Sequence, residues 1–250
     1  MGIFIKNDDQ IAIMRHASRI CADTHELLAS HIKPGITTAE LDKIAHDYIL
    51  SQDAKPSFLG YRGYPATACI SINNEVIHGI PGIRRLKNGD IVSIDIGVRY
   101  KHFHGDAART HPVGEISEEH RKLIDAAERA FFEGMEYAKA GLKLHDISAA
   151  IGDYVIAQGF SIVEEWSGHG IGRQLHEDPQ IPNSRQQNRG PRLSCGMTLA
   201  IEPMINIGYG GTITLDDTWT VVTKDGKFSA HYENTILITD GEPDILTLRG

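Results

Sequence analysis

The sequence repeats itself once along its 250 residues, and this repeat constrains the fold more than any single motif does. Lys33-Pro34-Gly35 returns as Lys139-Ala140-Gly141, Asp47-Tyr48-Ile49 as Asp153-Tyr154-Val155, and Gln52 as Gln158, all displaced by 106 positions. His78-Gly79-Ile80 is echoed by His169-Gly170-Ile171. Leu86, Gly89 and Ile94-Asp95 reappear with the same internal spacing as Leu193, Gly196 and Ile201-Glu202, at a displacement of 107. His104-x-Asp106 has its counterpart in His231-x-Glu233. The four signatures keep their order, which chance recurrence of turn glycines does not explain. The chain therefore reads as a duplicated α+β unit whose halves, roughly 10–115 and 116–245, face each other in one domain spanning 1–250.

The repeat gives meaning to an awkward carboxylate. Ile91 to Val98 alternates as a strand, with Val92, Ile94, Ile96 and Val98 on one face and Ile91, Ser93, Asp95 and Gly97 on the other. Asp95 is thus set in an apolar run, where a bare carboxylate is costly unless a cation or several donors meet it. Taken alone, an ion pair or backbone donors would satisfy it as well as a metal. If the halves pack about a pseudo-twofold axis, however, Asp95, Asp106, Glu202 and Glu233 converge. Four carboxylates in one space repel and raise one another's pKa values unless cations neutralise them. Two divalent ions would do so, and oxygen ligands with one imidazole suit Mn, Fe, Co or Zn in a hydrolytic pair. His169 is the expected imidazole, because Gly168-His169-Gly170-Ile171-Gly172 lets the backbone place it at close quarters. His78 and His176 are then candidates for substrate contacts. His176-Glu177-Asp178-Pro179 lacks the His-Glu-x-x-His spacing of helical zinc sites, and no phosphate-binding Walker loop is present.

The remaining order follows from local signals. Met14, Ala17, Cys21, Thr24 and Leu28 predict an amphipathic helix from about Asp8 to His31, closed by Lys33-Pro34-Gly35. Thr37 and Glu40 form a capping box that opens a helix to about Gln52. A Gly-, Pro- and Tyr-rich loop, Pro56 to Ala66, leads to an expected strand pair at Ala68–Ile72 and Glu75–His78. Helices are expected at Ser117–Ala138 and Leu144–Gln158, with short strands and turns from Phe160 onward. A net charge of −8 argues against nucleic-acid binding through a general basic field. Cys21, Cys69 and Cys195, odd in number and far apart, fit reduced thiols in the cytoplasm. Neither a secretory signal nor an apolar run of about 18 residues is evident.

Several motifs, in order along nearly the whole chain, carry a family resemblance. They are Gly60-Tyr61-Arg62-Gly63-Tyr64-Pro65, Cys69 to Asn73 with His78-Gly79-Ile80-Pro81, Asp95 with His104-Gly105-Asp106, Gly168 to Arg173 with His176-Glu177-Asp178-Pro179, Ile201-Glu202-Pro203-Met204, and Trp219-Thr220 with Tyr232-Glu233. The chain resembles the bacterial-type type I methionine aminopeptidases of the pita-bread fold. The resemblance implies a curved antiparallel sheet with helices on its outer face. It implies that Asp95 chelates one divalent metal, that His169 and Glu202 bind a second, and that Asp106 and Glu233 bridge them. It also implies removal of N-terminal methionine from peptides and nascent chains whose second residue is small, by a hydroxide held between the metals, with Glu202 taking up a proton. By the same analogy His176 steadies the carbonyl oxygen, His78 meets the scissile amide, and Tyr61, Tyr64, Cys69 and Trp219 form the methionine pocket. Leu175, Phe58 and Asn234 depart from the family pattern at positions that bear on pocket shape. The expected molecule is a cytoplasmic monomer with transient ribosome association, no membrane contact and no specific nucleic-acid binding. The competing readings are a proline-specific peptidase of the same fold, which usually carries a separate amino-terminal domain, and a metal-free peptide-binding protein, which would lack metal ligands.

Overall fold

Local capping fixes where the first helices begin. In the computed structural model, which describes residues 2–248, Asn7 and Gln10 exchange hydrogen bonds of 3.0 and 3.1 Å to start α1 (Asp8–His31). Residues 1, 249 and 250 of the 1–250 span lie outside the described residues. Thr37 and Glu40 form the expected box at the start of α2 (Thr38–Ser51), with bonds of 2.8 and 3.1 Å. Strands β1 (Lys55–Pro56), β2 (Ala68–Ile72), β3 (Glu75–Ile77), β4 (Ile91–Tyr100) and β5 (Phe103–Pro112) complete the first half. The second half holds α3 (Glu118–Met135), α4 (Leu144–Ala157), β6 (Ser161–Ile162), β7 (Ser167–Gly170), β8 (Glu177–Pro182), β9 (Thr198–Ile201) and β10 (Met204–Asn206). It ends with β11 (Thr212–Thr214), β12 (Val221–Thr223), β13 (Ser229–His231), β14 (Glu233–Leu237) and β15 (Asp244–Ile245).

The main sheet runs β1-β4-β5-β14-β9-β7-β8, with β2 added on β4 and β15 on β14, and its pairings are antiparallel. Its centre, β4-β5-β14-β9, reads the same from either end: the strand with Asp95 and the one leading to Glu202 flank those with Asp106 and Glu233. Matching hydrogen bonds recur in the halves. Gly35 N donates to Leu86 O at 2.8 Å and Gly141 N to Leu193 O at 2.9 Å. The isolated bridges Thr37–Arg85 and Lys143–Arg192 correspond in the same way.

Each half buries one face of its strands under its own helices. Val92, Ile94, Ile96 and Val98 pack with Ile20, Leu28, Leu41 and Ile49 of α1 and α2. Leu199, Ile201 and Ile236 pack with Phe131, Ile147 and Ile151 of α3 and α4. The period-two alternation expected for β4 is thus observed, and it turns Ser93, Asp95 and Gly97 away from the helices. One expectation is corrected. β2 and β3 both form, but they do not pair: β2 lies against β4, whereas β3 joins β12 in a separate three-stranded sheet. Asn73, between them, adopts φ 61°, and its side chain bonds Asp90 and the Ile91 amide, redirecting the chain. Among the described residues no helix is long and apolar enough to cross a membrane. Cys21 and Cys69 are buried free thiols, and Cys195 is an exposed one.

Candidate metal centre

Strand register brings the acids together. Asp95 on β4 and Glu233 on β14 each lie opposite Ala108 of β5, one from either side. Asp106, two residues before Ala108, projects from the same face of β5. Asn234 pairs with Ile201, so the next step of that register sets Glu202 against Glu233. His169 of β7 lies opposite Ala200, diagonal to Glu202. Small residues at 108 and 200 leave the space the longer side chains enter. Between β5 and β14 the ladder is interrupted at Asp106, where the Thr235 hydroxyl accepts from Asp106 N and donates to Asp106 O, both at 2.9 Å.

His169 Nε2 stands 3.6 Å from Glu202 Oε1, and ligand atoms of Asp106, His169 and Glu233 lie within 4.8 Å of one another. The oxygens Asp95 Oδ1, Asp106 Oδ1 and Glu233 Oε1 are buried without a hydrogen-bond partner. Such orphaned carboxylate oxygens need a counter-charge, and a divalent cation supplies one. The same environment acts on their titration. Burial first, then the charges of Asp106 and Glu202, holds Asp95 well above the usual carboxylate range. Burial pushes Asp106 up to about 7, and burial followed by neighbouring carboxylates raises Glu202 and Glu233. Burial lowers His169 to about 4, which leaves its ring neutral. Its Nδ1 meets Gly170 O at 2.9 Å, so the proton belongs there and the Nε2 lone pair faces the acids. The donor set therefore fits divalent metal.

The glycines around His169 act through closeness rather than backbone freedom. Neither Gly168 nor Gly170 has positive φ, but a Cβ on Gly168 would meet Ala200 O at 2.4 Å and one on Gly170 would meet Asp178 O at 2.2 Å. Glycine is required because neighbouring strands press against it.

A cavity of about 370 Å³ opens over these groups. Tyr61, Tyr64, Cys69, His78, His176 and Trp219 all line it, so the sequence-derived substrate residues and acids meet in one place. His176 is exposed at its edge, with Nδ1 2.8 Å from the Tyr61 hydroxyl and its ring 4.2 Å from that of His169. His78 holds φ 60°, a sparsely populated conformation for a non-glycine residue, with its ring edge-on to Trp166. Burial lowers its pKa to about 4. The Tyr64 hydroxyl turns away to Ala68 O and Gly79 O, leaving its ring against Trp219 as a wall. Leu175 and Phe58 also line the cavity. A larger groove of about 810 Å³ opens beside it, but no carboxylate lines that groove, so the acid chemistry belongs to the smaller cavity.

Three contributors escape the sequence reading. Trp166 packs on His78 without a motif to mark it. Arg109 supports the acids from behind: its guanidinium bonds Ala108 O, Glu233 O and, at 2.6 Å, Asn234 Oδ1, and covers the Tyr232 ring. Asn234, which departs from the family pattern, is thereby turned from the cavity. His231 lies against Glu202 and Glu233. Its signal was the His231-x-Glu233 echo, which drew attention to the acid and not to the histidine.

Comparison with known proteins agrees with this geometry. The model of metallopeptidase family M24 matches residues 12–240. The methionine aminopeptidase of Clostridium perfringens is 56% identical over 246 residues, covering 98% of this chain and 99% of the relative. Methionine aminopeptidase 1 of Bacillus subtilis is 54% identical with the same coverage of each. The crystal structure of methionine aminopeptidase from Rickettsia prowazekii superposes with a TM-score of 0.97 at 40% identity, covering 99% of this chain and 100% of that one.

Proposed function

The chain belongs to metallopeptidase family M24, and from that membership we propose that it is a metal-dependent aminopeptidase removing N-terminal methionine. The observation that carries this reading is the set of orphaned buried carboxylates at the base of a cavity walled by aromatic rings and a thiol. Asp95 would hold one divalent ion, His169 and Glu202 a second, with Asp106 and Glu233 shared between them. Co, Mn, Fe and Zn all suit such donors. When bound, the ions supply Lewis acidity toward a carbonyl oxygen and make water a better nucleophile at neutral pH.

The chain's own groups supply the rest. Glu202, displaced toward higher pKa by burial and by Asp106, is suited to accept a proton from the attacking water. A Tyr61 hydroxyl donating to His176 Nδ1 leaves the proton on His176 Nε2, aimed at a developing oxyanion. His78, neutral, can accept from or donate to the scissile amide. Cys69 with the rings of Tyr61, Tyr64 and Trp219 offers a thioether a polarisable lining. The cavity volume of about 370 Å³ is at the small end for ligand pockets (~300–1,000 Å³). On the same reading the chain is one catalytic domain, 1–250, made of halves 10–115 and 116–245, and works on nascent chains as a cytoplasmic monomer that meets the ribosome transiently. The matched hydrogen bonds of the two halves support the duplication.

The test is a two-substrate assay. Apoprotein loaded with Co or Mn should cleave Met-Gly-Met-Met-type peptides and leave X-Pro peptides intact. The reverse preference would replace this reading with that of a proline peptidase. Binding without cleavage of either would favour a peptide-binding role.

A further inference from the structure

His231 is 1% exposed, and its Nε2 has no hydrogen-bond partner. That atom lies 3.6 Å from Glu202 Oε2 and 3.7 Å from Glu233 Oε2. The backbone is clamped: His231 N donates to Thr110 Oγ1 at 3.0 Å, that hydroxyl donates to His231 O at 2.9 Å, and Ser93 donates to it in turn. The ring therefore approaches the acids from a fixed strand. We propose that His231 Nε2 is a further metal donor, so that the centre carries two imidazoles, His169 on one edge of Glu202 and His231 on the other.

Distances favour ligation over a direct hydrogen bond. An N–H···O bond to carboxylate needs about 2.7–3.2 Å, and both separations exceed it. Donors about 2.1 Å from a shared cation, and 3.6–3.7 Å apart, subtend roughly 120° at it, an ordinary coordination angle. His169 stands at the same 3.6 Å from the other oxygen of Glu202, so each oxygen of that carboxylate faces one imidazole. Glu202, His231 and Glu233 form a second group of ligand atoms within 4.8 Å, sharing Glu233 with the first. In the first half the counterpart, His104, is occupied otherwise: its Nδ1 meets the Ser57 hydroxyl at 2.8 Å. The second imidazole is thus a feature of one half only.

This assignment rests on the two-metal reading above, and the experiment separates their failures. Co(II) is titrated into apoprotein, followed by visible absorption and by proton NMR. Each Co(II)-bound imidazole gives one strongly shifted exchangeable N–H resonance, so coordinated histidines can be counted. Wild type should show two; His231→Gln should lose one, with a change in the visible bands, and His169→Ala should lose the other. Affinity alone does not decide, because losing an outer hydrogen-bond partner of a ligand also weakens metal binding about 10- to 100-fold. One shifted imidazole in wild type, or two retained in His231→Gln, overturns the proposal while leaving the metalloenzyme reading intact. No uptake of Co(II) by wild type overturns both. If the variants fail to fold, the wild-type count decides by itself.

Discussion

Lys6 and Glu177 form an ion pair of 2.7 Å in which both side chains are 5% exposed, tying the residue before the N-cap of the first helix to the one after His176. Glu177 Oε1 also accepts from Gln174 N at 3.1 Å, which closes the loop that carries His176. Lys6→Met should therefore do more than a surface pair would allow. Removing one partner of a buried pair costs about 3–5 kcal/mol, because the other charge is stranded. For a chain of this size each kcal/mol moves Tm by about 2–4 °C, so a fall of roughly 6–20 °C is expected. The double variant Lys6→Met/Glu177→Leu strands no charge, giving up only the bond from the exposed Gln174 amide, and should recover most of that loss, since apolar replacement of a buried pair is often neutral or stabilising. Urea denaturation of the four proteins of the cycle measures the coupling directly. Metal content should be unchanged throughout, because neither residue faces the carboxylates. A single-variant cost below about 1 kcal/mol, the range of exposed pairs, would refute the reasoning. So would a double variant as unstable as both single variants combined.

Apoprotein stability should fall as pH rises from 5.5 to 7.5, opposite to a protein held by ionised carboxylates. Asp106 is raised to about 7 when folded, so the folded state binds the proton more tightly. The stabilisation is full below the unfolded carboxylate value near 4 and is lost as pH climbs through about 7. For Asp106 the full displacement amounts to roughly 4 kcal/mol, of which about half, roughly 2 kcal/mol, is lost between pH 5.5 and 7.5. Thermal melts of metal-free wild type against Asp106→Asn isolate the term; parallel profiles would sink it. Gly170→Ala places a Cβ 2.2 Å from the Asp178 carbonyl oxygen and must push β7 from β8. A loss of about 1–3 kcal/mol in urea denaturation is expected, together with weaker Co(II) binding through the displaced His169. Wild-type stability and affinity would show that the strands yield without moving the ligand.

What could be read from sequence was local or repeated. The three- and four-residue spacing from Met14 to Leu28 marks one helical face, the capping box of Thr37 and Glu40 acts over three residues, and the alternation of Ile91 to Val98 reports which face meets helices, so α1, α2 and β4 were legible. The acids were legible because duplication marks equivalent positions. What escaped depends on partners far along the chain. The short link at Asn73 and Asn74 looks like a hairpin turn, yet β3 is claimed by β12, and that preference is set by packing no local pattern records. Lys6 meets Glu177 across 171 positions, and Arg109 reaches Glu233 and Asn234 across 124 and 125. A charge with such a partner is indistinguishable in sequence from a solvated one.

The same contrast bears on how a duplicated fold becomes a catalyst. A symmetric arrangement of β4-β5 against β9-β14 places four acids on one face, but perfect symmetry would give both sides identical ligands and leave no difference between a substrate side and a structural side. The departures supply that difference. Aspartates in the first half and glutamates in the second put short donors opposite long ones. His169 stands at the acids, whereas its echo His78 has moved to the aromatic wall beside Trp166 and Trp219. His104 is turned to Ser57, whereas its echo His231 faces Glu202 and Glu233. Repetition thus accounts for the convergence of charge. The broken equivalences set imidazole nitrogen beside the acids in the second half only, and leave the first half's histidines turned to Trp166 and to Ser57.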